Sequence, residues 1–456
     1  MPETSPASPT LARSVSRFQV VALAVNAVVG SGIYLLPAAA SALLGWASLA
    51  AVALAAGAVL LVVLCFAEAS SHFDRTGGAY LYTRQAFGDL VGFEVGWMTW
   101  LARVASAASL AAGFAQALAF LWPAAADGWT RAAMVTLPLV ALTAVNLAGV
   151  RFGAGTAVAL VLAKVVPLLV FVVAGVAAFL PRTFYSQVAL PSPTGDLETL
   201  GQAALLLLFA YAGFENTTAA AGEYRDPRRD VPFALVTQLA VVSALYLAVQ
   251  AVALGTLPDL GSSTAPLAEA AGRFLGGAGV ALLGVGGVIS ILGTLNDSVL
   301  AGPRYLYALA RDGYGPAFLG RVHPRFRTPA AAILTQAAVT LPLALTGSFV
   351  GLAALSVVAR LATYFGTAAA VPVLRRQAER HQADRPADGG STAEPPAPGA
   401  RPWRLPGGPA IPAAACLLSL GLAASADLTN LAAASAALLA GLGIWALRRQ
   451  NGGAAH

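Results

Sequence analysis

Phe18 to Pro37 reads FQVVALAVNAVVGSGIYLLP, twenty residues without a charge. A run of that length is a membrane helix. Its second half carries Gly30-Ser31-Gly32 and it ends at Pro37. Such residues weaken a helix where lipid supplies no replacement hydrogen bonds. The run therefore reads as a span with a break inside it, and Pro37, near the outer end, finishes the half-helix at little cost. Glycine also permits close packing between membrane helices, so the triplet alone leaves packing and a binding site both open.

The rest of the chain sets the class. Hydrophobic residues make up 58% of the 456 and charged residues 11%, against roughly 25% charged in a soluble domain. Apolar runs of spanning length recur throughout, where a membrane barrel would show short alternating segments. The chain reads as an all-α integral membrane protein. The N-terminus, MPETSPASPTLARSVSR, lacks the order of a cleaved signal, so the first span is expected to stay. Cys65 and Cys416 have no spacing partners, and His72, His323, His381 and His456 form no cluster. No disulfide, metal, cofactor or catalytic residue is expected, and the protein does not read as an enzyme.

Twelve spans fit, near 18–37, 43–67, 92–121, 131–150, 156–181, 199–221, 233–256, 277–308, 329–346, 350–374, 409–426 and 429–447. The third and eighth are too long for a plain crossing and must tilt or extend past the bilayer. With both ends inside, most of the 27 basic residues are cytoplasmic; Arg131, Arg182 and Arg273 fall outside, and Arg103, Lys164 and Arg360 within spans. That asymmetry places both termini in the cytoplasm of a cell membrane. The net charge of +6 reflects topology and not nucleic-acid binding. Residues 377–408, rich in Pro, Gly and Ala, read as a disordered cytoplasmic linker. The organisation is then a tail (1–17), a ten-span core (18–376), the linker, two further spans (409–447) and a tail (448–456).

Span six breaks as well. It reads LLLLFAYAGFENTTAAAGE, with Gly213 mid-span and Glu215 two residues on. A carboxylate within a span marks a functional site by default. Interrupted helices at corresponding places in two five-span halves, 18–181 and 199–376, point to a five-plus-five inverted-repeat transporter. Half-helix N-termini then face an anion, and unwound carbonyls face a cation. A zwitterionic amino acid needs both.

These residues carry a family resemblance. GSGIYLLP resembles the span-one signature G-[ST]-G-[IV]-[FY] of the amino acid–polyamine–organocation permeases. Phe209 to Leu235 is similar to that superfamily's span-six motif and following loop, and Tyr307 to Ile333 to its loop after span eight. FAEASSHFDRTGGAYLY after span two also fits. The match runs in order over spans one to ten. It implies a LeuT-like core plus two C-terminal helices and a small amino acid substrate moved across lipid, by a monomer or homodimer.

The resemblance implies residue roles. Ser31 and Gly32, beside Gly30, would hold the substrate carboxylate. Carbonyls of Val28, Phe209 and Ala212 would receive its ammonium, an assignment the physics of broken helices also supports. Phe209 takes the place of an aromatic gate; its alternative is a core or lipid-facing ring. Glu215 resembles a glutamate whose protonation is linked to gating; its alternative is a hydrogen bond bridging the broken helix. Lys164, the only lysine, resembles a stand-in for sodium between spans one and eight, and lysine can release a proton where arginine cannot. Its alternative is snorkelling to the interface. Ser298 falls at a substrate-proximal position and Arg103 where the pocket is lined from span three, which disfavours a cationic substrate. Arg103 is expected to pair with Asp297 or Glu215, since charges within a membrane are rarely left alone. Arg360 reads as structural. Glu223, Arg228, Arg229 and Asp230 are candidates for ion pairs that change during transport. Small residues around the site suit a medium or bulky neutral side chain.

Proton-coupled symport of amino acids is the leading reading, with exchange or export by the same fold beside it. A major-facilitator permease also has twelve spans, and Phe73 to Gly78 superficially fits it, but its long linker lies between spans six and seven. A membrane enzyme would need a paired acidic or His-rich site.

Overall fold

The computed structural model describes residues 15–74, 77–149, 154–187, 197–219, 221, 224–383 and 402–452. Residues 1–14, most of the expected linker (384–401) and Glu223 lie outside these. Among the described residues there is no strand, and the chain is a succession of helices. Apolar runs adopt that form in lipid because a helix satisfies every backbone group within itself.

The run that begins at Phe18 forms two helices, α1 (Arg17–Val28) and α2 (Ser31–Leu44), followed by α3 (Ser48–Ser71). The helix stops over Val29 and Gly30, as the sequence led us to expect. Pro37 does not end α2: it is buried inside the helix, which continues to Leu44. The proline removes one donor, and the helix carries on because packing holds both flanks.

Next come α4 (Gly78–Phe87), α5 (Asp89–Leu121), α6 (Gly128–Ala148) and α7 (Ala154–Gln187). The second break separates α8 (Leu197–Tyr211) from the short α9 (Glu215–Ala219). Gly213 in that break has φ +120°, a region that favours glycine. Beyond it lie α10 (Pro227–Thr256), α11 (Pro266–Arg311), α12 (Ala330–Thr346), α13 (Phe349–Ala383), α14 (Ala410–Ala424) and α15 (Leu428–Gly452).

Eight helical stretches among the described residues are long and apolar enough to cross a membrane, and four apolar helices are shorter. The twelve expected spans do not appear as twelve long helices: the two breaks leave short pieces, and α12 and α14 are short without a break. Two expectations about length are met. The helix of span three, α5, has 33 residues, and α11 has 46 with a non-helical kink at Gly276.

At the centre of the bundle α5 packs against α11 and α13, while α10 packs on α3, and α2 on α8. The middle of α5 is continuously buried from Ala102 to Ala112, and much of α15 is exposed. Both ends of the segment expected as linker are ordered. Helix α13 runs through Ala383. Leu405 is buried, its N–H donates to Glu68 Oε2 at 2.9 Å, and Arg375 Nη1 donates to the Gly408 carbonyl at 2.6 Å. Glu68, fully buried at the end of α3, also accepts Arg375 Nη2 at 2.6 Å, so a buried ion pair anchors the returning chain.

Candidate functional site

The two helix breaks lie against each other. A Cβ added at Gly32 would sit 2.5 Å from Ala210 Cα, so the start of α2 touches the end of α8 with no room for a side chain. A Cβ at Gly213 would collide with the Ala27 carbonyl, and one at Gly30 would stand 2.8 Å from Thr294 Oγ1 of α11. Glycine at these three positions lets three helices converge. The triplet therefore serves packing as well as breaking the helix, and the two readings are compatible.

One hydroxyl joins the breaks. Tyr246 of α10 donates to the Ala210 carbonyl at 2.9 Å and lies 3.2 Å from the Val28 carbonyl, so its single proton serves both. Tyr246→Phe leaves two buried carbonyls short of a donor. It is expected to lower stability by about 1–3 kcal/mol, read as a fall in the thermal midpoint of the purified protein. An unchanged midpoint would mean that the hydroxyl does not hold the breaks together.

At the first break, Ser31 is 1% exposed. Its Oγ is, among the described residues, a buried hydroxyl without a hydrogen-bond partner, and Asn26 Oδ1, near the end of α1, is a buried amide oxygen without a donor. The first N–H groups of α2 have no acceptor within the helix. The first turn of α2 thus offers the Ser31 hydroxyl and backbone N–H groups as donors, with the Asn26 amide oxygen as an acceptor close before the break. At the second break, the Phe209 carbonyl accepts the Ala212 N–H at 3.1 Å. The Phe209 ring is buried and meets Phe349 edge-on, with centroids 5.9 Å apart, so it lies in the core and away from lipid.

Lys164 of α7 is fully buried and its amine points inward, not to the interface. It donates to the Asn26 carbonyl at 3.2 Å and to Thr294 Oγ1 at 3.1 Å, joining α1 to α11. Gly293 makes room: a Cβ there would meet Lys164 Cε at 2.9 Å. The Lys164 carbonyl in turn accepts the Tyr34 hydroxyl at 3.0 Å.

Glu215 anchors the opposite side. Its Oε2 accepts the Gly213 N–H at 3.0 Å, bridging the break in its own helix. Its Oε1 takes Arg103 Nη2 of α5 at 3.2 Å and also Arg360 Nη1 of α13. Arg103 Nη2 donates to Asn216 Oδ1 as well. All three charged side chains are at most 5% exposed. Of the two partners considered for Arg103, the structure selects Glu215, which the first turn of α9 turns toward α5. Asp297 has Lys164 and Arg103 as its charged neighbours. Ser298 is buried on α11, and its backbone carbonyl accepts Gln336 Nε2 of α12 at 3.1 Å.

The charged residues at the start of α10 pair with distant segments. Asp230 binds Arg17 Nε of α1 at 2.8 Å, and Arg228 lies 3.9 Å from Asp74. Nearby, Arg84 of α4 bonds Asp89 at 2.8 Å and Asp312 at 2.7 Å, and Tyr80 donates to Asp312. Burial and the Asp312 carboxylate push the Tyr80 phenol well above its ordinary range.

Sequence reasoning missed Asn26, Asn216, Tyr246 and Thr294, and underused Arg360. Each is a polar residue inside an apolar run, and that was the available signal. Its partner, on a distant helix, was not.

The pattern of the family described as amino acid permease matches residues 15–453. The methylthioribose transporter of Bacillus subtilis is 29% identical over 338 residues, covering 71% of this chain and 72% of its own. The serine/threonine exchanger SteT of the same organism is 28% identical over 382 residues, covering 81% and 85%. Its branched-chain amino acid permease BcaP is 26% identical over 436 residues, covering 91% and 88%.

Proposed function

The chain belongs to the amino acid permease family, within the amino acid–polyamine–organocation superfamily, a family of transporters and not enzymes; from that premise we propose that it is a secondary active transporter of amino acids working by alternating access. The observation that carries the reading is the apposition of two broken helices, with the unpartnered Ser31 hydroxyl at one break and the carbonyls of Phe209 and Ala212 at the other. Free N–H groups and a hydroxyl suit a carboxylate, and carbonyls suit an ammonium. Family membership removes the major-facilitator alternative.

We further propose twelve crossings, with both termini cytoplasmic and α1–α7 and α8–α13 as the two repeats. Each short apolar helix at a break counts as part of a crossing with its continuation. Phe209 serves as the gate over the substrate. The Arg17–Asp230 pair closes the cytoplasmic side between α1 and α10 and opens when the site faces inward.

Proton coupling runs through Lys164, whose amine spans the gap between the end of α1 and α11. An ammonium there ties the two helices as a bound cation would, and releasing the proton loosens that tie. In proteoliposomes, an inward proton gradient is expected to drive amino acid accumulation, and Lys164→Met to abolish the response to the gradient. Gradient-driven accumulation that survives in Lys164→Met would remove the lysine from the coupling step. Exchange is the second reading, favoured by the similarity to a serine/threonine exchanger. It predicts uptake only into vesicles preloaded with amino acid. Absence of flux for every amino acid, with or without gradient or preload, would overturn transport of amino acids altogether.

A further inference from the structure

Charge at the breaks is not balanced. Arg103 and Arg360 share the single carboxylate of Glu215, whose second oxygen is already taken by the Gly213 N–H. The other acceptors Arg103 finds are neutral: the Asn216 amide oxygen and the Tyr305 hydroxyl. Its Nε is, among the described residues, a buried donor without an acceptor. Asp297 stands between Lys164 and Arg103 in charge terms and makes no ion pair within 4 Å among the described residues. Three buried or near-buried cations therefore face two carboxylates in this part of the bundle.

An unmatched cation at this depth is costly, and a protein keeps one where a ligand supplies the counter-charge. The group retained is a guanidinium. Its planar fork of donors fits a carboxylate in two parallel hydrogen bonds, which an ammonium does not. On α5 the residues that share a face with Arg103 are Thr99, Trp100, Ser106 and Ala107, small on the C-terminal side and bulky only at Trp100. The cluster is fastened to Gly213, next in sequence to the Ala212 carbonyl that would take the substrate ammonium. A second anionic group on the same small molecule would therefore lie beside Arg103.

We propose that the substrate class is the acidic amino acids, with the side-chain carboxylate received by Arg103 and with Arg360 behind it holding Glu215 in place. The proposal rests on the reading of the breaks as an amino acid site. It departs from the neutral side chain that small lining residues alone suggest, because those residues set size and the guanidinium sets charge.

The test uses the purified full-length protein and a panel of L-glutamate, L-aspartate, L-glutamine, L-leucine and L-arginine. It reads thermal stabilisation of the protein and competition for uptake into proteoliposomes. Glutamate or aspartate is expected to act at concentrations at least about tenfold below glutamine, since a site built around buried donors rejects an analogue that leaves them unmatched. Arg103→Gln is expected to erase that preference, and Arg103→Lys to keep part of it by charge alone. A wild-type preference for glutamine or leucine over glutamate would overturn the proposal while leaving amino acid transport intact, and so would an acidic preference that survives Arg103→Gln. If no amino acid binds or is carried, the transport reading fails and this inference fails with it. The wild-type panel and the lysine variant decide the matter even if the glutamine variant does not fold.

Discussion

Glu215→Ala is expected to cost about 3–5 kcal/mol of stability, because it strands two guanidinium groups among apolar helices. Arg103 and Arg360 reach the same oxygen of Glu215, and all three side chains are at most 5% exposed. Removing the carboxylate leaves both cations buried without a counter-charge. It also frees the Gly213 N–H that Glu215 Oε2 accepts at 3.0 Å, so the break loses its bridge. Arg103→Ala is expected to be much milder, since Glu215 keeps Arg360 as its partner. The order of thermal midpoints should be wild type, Arg103→Ala, Arg360→Ala, Glu215→Ala. Equal midpoints for Glu215→Ala and Arg103→Ala would show that the three do not act as one cluster.

Gly213→Ala carries the second large effect, and it combines two costs. The backbone there has φ +120°, which a side chain strains. The added Cβ would also collide with the Ala27 carbonyl, which is backbone and cannot move aside. Gly276 separates the two costs: its φ is +61° with ψ −150°, a glycine region, and nothing lies near its Cβ position, so Gly276→Ala pays only for conformation, about 1–3 kcal/mol. Gly213→Ala is expected to lose uptake altogether and to melt well below Gly276→Ala. If the two variants melt alike and both transport, the close approach of the breaks is not needed for function.

The candidate site was legible to different degrees. Gly30-Ser31-Gly32 and Gly213 announced breaks in two apolar runs, and both breaks are present. Lys164, as the only lysine, stood out, and its amine does lie between α1 and α11. Arg103 was seen to need a partner, but its two candidate partners could not be told apart, because Glu215 and Asp297 are both far from it in sequence. Arg360 reads as structural in the sequence, and its guanidinium shares Glu215 Oε1 with that of Arg103. Tyr246 gave no sign beyond being a polar tip in an apolar run, yet it joins the two breaks. Pro37 misled: a proline near the end of a run looked like a terminator, whereas surrounding packing carries α2 past it to Leu44.

The sequence by itself determined the class, the positions of the breaks and the family. The reason is that lipid leaves a chain few choices: apolar length, interruption by glycine and the placement of charge are local properties, and each is written in consecutive residues. Tertiary structure decided which groups meet. Glu215 with two arginines, Lys164 with the end of α1 and Thr294, and Gly32 against Ala210 are pairings between helices far apart in the chain. They depend on how the helices cross, which no single helix encodes. The sharing of one Glu215 carboxylate by Arg103 and Arg360, and with it the expected charge of the substrate, belongs to that second kind of fact.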